Sequence, residues 1–118
     1  MEGNSINNIV VEWNGPKAIL RPVVNFVAAV VPQLRTVLRA VVAKGVEELT
    51  IDFARVQMVD SSGLGLLIAA HNTVAKNGGR LAVIHVQKEI LELLRSMRIH
   101  QHFAVSGDEA GLPGTPAQ

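Results

Sequence analysis

Three stretches of helical periodicity alternate with short apolar strands along this chain, and that alternation limits the fold more than any other feature. Strand–helix–strand repeats bury their apolar faces by pairing the strands in parallel, with right-handed crossover helices laid on the sheet. The first helical stretch is the clearest. Leu34, Val37, Leu38, Val41 and Val42 recur at helical spacing and form one apolar stripe. Arg35, Arg39 and Lys44 fall outside it. Pro32 suits the first turn, where its missing N–H costs nothing, and Gly45 suits the position just past the last turn. A second helix is expected from about Ser62 to Lys76, ended by Asn77-Gly78-Gly79. Leu64 and the run 66–70 make its first half apolar on nearly every face, so it must be sandwiched in the core. Ile90, Leu91, Leu94 and Met97 give a third helix with a narrower stripe.

Strands fill the gaps. Leu49-Thr50-Ile51-Asp52-Phe53 alternates, and Leu81-Ala82-Val83-Ile84 is a short apolar run. Upstream, Val10 to Trp13 and Ala18 to Leu20 flank Asn14-Gly15-Pro16, a tight-hairpin signal. Residues 23–31 read either as strand or as the approach to the first helix. The expected architecture is α/β: a small mixed, mostly parallel sheet flanked by helices. It forms one domain over residues 1–106, with the Gly- and Pro-rich residues 107–118 as a flexible tail.

A chain of 118 residues has room for one compact core, and 48% apolar against 18% charged residues describes a packed domain. The net charge of +1 lacks the basic excess that phosphate-backbone binding demands, so no nucleic-acid partner is expected. Cysteine is absent, which excludes disulfides and thiolate metal sites. His71, His85, His100 and His102 have no zinc-ligand spacing, so neither metal nor cofactor is expected. No basic leader with an apolar core opens the chain, and no apolar run is long enough to span a bilayer. A cytoplasmic protein without a membrane partner is the resulting expectation.

Chemistry concentrates in Asp60-Ser61-Ser62-Gly63-Leu64-Gly65, which opens the second helix. A helix start offers unsatisfied N–H groups and the positive end of the dipole. Two adjacent hydroxyls stand there although one suffices as N-cap. Either Ser62 caps the helix with Ser61 as an ordinary loop residue, or Ser61 carries a separate duty. A phosphate on Ser61, or alternatively Ser62, adds close to two negative charges and changes what can dock there. Gly63 and Gly65 weaken the first turn but let another backbone or a partner surface come close. The run is no nucleophile elbow, because no glycine precedes the serine at the required position.

The run 59–67 resembles the signature of the STAS-domain family, the anti-sigma factor antagonists. The resemblance extends through Leu49 to Phe53, through Asn77 to Val83 and into residues 90–94. It implies a mixed sheet flanked by helices and a non-enzymatic, partner-switching role. The unphosphorylated domain binds an anti-sigma factor that is itself a serine kinase, and transcription is regulated indirectly. That kinase modifies the serine after the motif aspartate, here Ser61, and a serine phosphatase restores it. The implied docking surface is Asp60, Ser61, Ser62, Gly63, Leu64 and Gly65, with Asn25 and Phe26 beside them, on a monomer or weak dimer. One departure is visible: the family's acidic residue after the second strand has no counterpart in Val24-Asn25-Phe26-Val27. Phe26 there is either core, the usual place for a large apolar side chain, or an apolar contact for a partner. The alternative function is a non-switching STAS scaffold subunit of a larger regulatory assembly.

Overall fold

The protein is seen as a computed structural model that describes residues 2–6 and 9–107. Six strands form one mixed sheet whose spatial order follows the chain. The strands are β1 (Glu2–Ile6), β2 (Ile9–Asn14), β3 (Lys17–Pro22), β4 (Glu48–Asp52), β5 (Arg80–Val86) and β6 (Ala104–Gly107). β1, β2 and β3 pair antiparallel, whereas β3, β4, β5 and β6 pair in parallel. Helices α1 (Val31–Ala43), α2 (Ser61–Lys76) and α3 (Lys88–Ser96) make the crossovers. The mostly parallel α/β architecture read from the sequence is therefore the one observed.

The β2–β3 hairpin closes through Gly15 and Pro16, with Asn14 opposite Lys17. Gly15 sits at φ +61°, the value a two-residue II′ turn requires at its first position. The α1 stripe turns inward as its spacing predicts: Leu34, Val37, Leu38 and Val41 are buried, and Gly45 follows the helix at φ +82°. Burial alternates along the strands. Leu49 and Ile51 on β4, and Leu81 and Val83 on β5, join the helices in one core, while Glu48, Thr50, Asp52, Ala82 and Ile84 are half-exposed on the opposite face. There Arg21 pairs with Glu12 and approaches Asp52 at 3.5 Å, and the His85 ring nitrogen Nδ1 lies 3.0 Å from Asp52. His85 stands at φ +57° where the β5–β6 register slips.

Two strands were not anticipated. β1 is polar in sequence, and β6 is short and ends in glycine, so neither shows the alternating signal of a half-buried strand. Both exist because a neighbouring strand presents a free edge of N–H and C=O groups. The expected tail is corrected at its first residue: Gly107 ends β6 and is buried, and residues 108–118 lie outside the described residues. Residues 23–30 form no strand and are the approach to α1, which begins at Val31. Phe26 makes a single parallel bridge to Val59, and a turn over residues 27–30 delivers the chain to α1. Among the described residues no helix is long and apolar enough to cross a membrane, and no group of three potential metal ligands occurs.

Candidate functional site

The start of α2 is held where the loop after β4 meets the loop after β3. Residues 53–60 carry the chain from β4 to the helix, and their path is set by residues 25–28 across from them. The Phe26 N–H donates to the Met58 carbonyl at 3.0 Å, and the Asp60 N–H donates to the Phe26 carbonyl at 3.1 Å. The Phe26 ring packs on Phe53 with centroids 4.8 Å apart. Asn25 adds a second tie: its Oδ1 accepts from the N–H groups of Gln57 and Met58, at 2.8 and 3.2 Å. A neutral amide oxygen thus meets two backbone donors of the loop.

Asp60 is the N-cap, in place of either serine. Its backbone is extended, and Oδ1 accepts from the Gly63 N–H at 2.9 Å, the third residue of the helix, as an N-cap side chain does. Oδ2 reaches the other way and accepts from the Ala28 N–H, also at 2.9 Å. One carboxylate therefore satisfies an orphan donor of α2 and fastens the helix to the loop leading into α1. The N–H groups of Gly63 and then Ala28 hold the Asp60 carboxyl below its ordinary 3.8.

Because this pKa is depressed in the fold, the stability it confers is complete above about pH 4 and disappears as pH falls through the folded value. Asp60→Asn is expected to melt several degrees below the native protein at neutral pH. The gap should narrow as pH falls below about 4 and the native carboxylate protonates. Thermal melts across that range check this; a gap independent of pH would contradict it.

With Asp60 serving as cap, both serine hydroxyls are released from that duty. Ser61 and Ser62 occupy the first two helical positions, both exposed. Neither makes a side-chain hydrogen bond among those found for the described residues. Gly65 is also exposed, with open space where a Cβ would stand. Asn25 is half-buried, turned toward its loop. Three residues of the expected docking surface lie beneath it. Gly63 and Leu64 are buried, and Phe26 is 0% exposed. The expectation of Phe26 as an apolar contact is corrected: its ring is core, and only its backbone shapes the site. The close approach expected at the glycines is made at Gly63 by the chain's own Phe26 backbone. Two apolar side chains that sequence reading passed over stand exposed on the two tied loops, Val23 at 46% and Met58 at 58%.

A sheet in chain order with helical crossovers has counterparts among known proteins. The family model described as Mlab, STAS domain matches residues 13–106. The chain belongs to the STAS-domain family. No curated protein matches this STAS domain in sequence. Solved structures share its fold. One is a candidate anti-sigma factor antagonist of Thermotoga maritima (TM-score 0.77, 14% identity, 81% of this chain and 83% of that one). Another is an anti-sigma factor antagonist of Mycobacterium paratuberculosis (TM-score 0.73, 20% identity, 87% and 90%). A third is Bacillus SpoIIAA in its phosphorylated form (TM-score 0.64, 16% identity, 88% and 96%).

Proposed function

We propose that this STAS domain is an anti-sigma factor antagonist switched by phosphorylation of Ser61. Unphosphorylated, it docks on an anti-sigma factor that is also a serine kinase, through half-buried Asp60 and the exposed Ser61, Ser62 and Gly65, with Val23 and Met58 alongside. The kinase supplies ATP and metal; the domain catalyses nothing. A phosphate on Ser61 ends the complex, and a serine phosphatase renews it. The cycle runs in the cytoplasm, with the domain as a monomer or weak dimer. The observation carrying this reading is the double engagement of Asp60. Its two oxygens complete the cap and the loop tie, so Ser61 gains a dianion without costing α2 its cap. The helix N-terminus favours the added charge, and the disruption falls on the partner surface rather than on the fold. Support also comes from SpoIIAA, a protein of like fold whose structures are of unphosphorylated and phosphorylated forms.

Partners retained by the unmodified full chain should include a serine kinase that, with ATP, places phosphate on Ser61 as read by mass spectrometry. Ser61→Asp should weaken that partner by about 100-fold or more, the scale of an uncompensated charge in an interface. Its circular dichroism and melting should stay native. Undiminished binding by Ser61→Asp, or phosphate placed elsewhere, contradicts the switch. A large homo-assembly in light scattering would favour the scaffold alternative.

A further inference from the structure

Between α1 and α2 runs an open cleft of about 340 Å³, lined by Arg35, Leu38, Arg39, Val42, Leu66 and Ala69 among others. Its floor is aliphatic: Leu38 and Leu66 are nearly buried, and Val42 is half-buried. The exposed Ala43 and Ala69 are small enough for another backbone to come close. Arg35 and Arg39 stand on one wall a single helical turn apart, and both are exposed.

The charge on this cleft is of one sign. Neither α1 nor α2 contains an aspartate or glutamate. Among the described residues neither arginine pairs with a carboxylate; the ion pairs found belong to Lys17, Arg21 and His85 on the strands. The last turn of α1 carries no basic residue, so these mid-helix arginines do not serve the helix dipole, whose effect is confined to the end turns. An apolar strip flanked by a guanidinium pair is complementary to an amphipathic helix whose apolar stripe is flanked by carboxylates. From Arg35 to Ala43 the cleft is about 12 Å long, or roughly two helical turns.

We propose that the α1–α2 cleft is a docking groove for an acidic amphipathic helix of a partner protein. The partner's leucine-type residues fill the strip between Leu38 and Leu66, and its Glu or Asp side chains meet Arg35 and Arg39. This contact lies along the middle of α2 and does not depend on the state of Ser61.

The test is an NMR titration of the isotope-labelled full chain with a synthetic helical peptide. The peptide has about 14 residues, near the length at which isolated helices hold together, with leucines along one face and glutamates beside them. Shifts should concentrate on Arg35, Arg39, Val42, Ala69 and Thr73, and the affinity should fall several-fold when salt rises severalfold. The same peptide with lysines for glutamates should leave these signals unmoved. Arg35→Glu combined with Arg39→Glu, both at exposed positions that leave the core untouched, should lose the acidic peptide at least tenfold and gain the basic one. No shifts at millimolar peptide, shifts centred elsewhere, or equal binding of both peptides overturn the proposal. So does preferential filling of the cleft by monomeric decanoate, which would make it a site for a small anionic amphiphile.

Discussion

Gly63→Ala is expected to destabilise the domain by about 3 kcal/mol or more, and Gly65→Ala, two residues on, to leave it as stable or better. A Cβ on Gly63 would lie 1.9 Å from the Phe26 carbonyl oxygen and 2.6 Å from its carbon. Backbone must then move, and this backbone is held on both sides. The Phe26 carbonyl accepts from Asp60 and its N–H donates to Met58, while its ring is fixed in the core. Overpacking against a segment that cannot retreat costs about 1–3 kcal/mol and at times more; here it also strains the bridge that sets the helix start. Against a total stability of about 5–15 kcal/mol that is a large fraction, visible as a melting point lower by more than about 10 °C. Gly65 has nothing within 4 Å of an added Cβ. Alanine there only raises helix propensity, a gain of about 0.5–1 kcal/mol. Urea unfolding of the two variants gives the comparison directly. A Gly63→Ala protein within about 1 kcal/mol of native would mean that α2 does not press on Phe26.

Phe26→Ala is expected to cost about 3–5 kcal/mol, the range for truncating a buried phenylalanine. The side chain is 0% exposed, packed on Phe53, and belongs to the single core. Its removal leaves a void directly under the two loops that hold Asp60, so loss of stability and loosening of the helix start should appear together. Phe26→Leu fills much of that space and should cost less than half as much. Were Phe26 a surface contact, Phe26→Ala would stay within about 0.5 kcal/mol of native and affect partner binding alone. Denaturation midpoints of the three proteins distinguish these outcomes.

The hairpin at Gly15, the α1 stripe and the extent of α2 are legible in the chain because each is specified by neighbours a few residues away. Positive φ at a glycine, apolar spacing of three and four, and a terminating Asn-Gly-Gly are local properties. The edge strands were not legible. Ala104–Gly107 becomes a strand by pairing with Ala82, Val83 and Val86, residues about twenty positions earlier, and its own side chains show no alternation. The N-cap shows the same division. Local reading favoured a serine, since hydroxyls are ordinary caps. Asp60 takes the role because its second oxygen also reaches Ala28, 32 positions away.

What the amino-acid order alone determined is the set of elements and the run that carries the chemistry, Asp60 to Gly65. Periodicity and turn residues act over one or two turns of chain, so they can be read in place. Which groups in that run face outward was decided by the tertiary structure. Bringing residues 25–28 against residues 57–63 buried Phe26, Gly63 and Leu64 and engaged both oxygens of Asp60. The same packing left Ser61, Ser62, Gly65 and Met58 in solvent. Contacts across more than thirty residues depend on how the whole sheet and its helices assemble, and no local pattern encodes them.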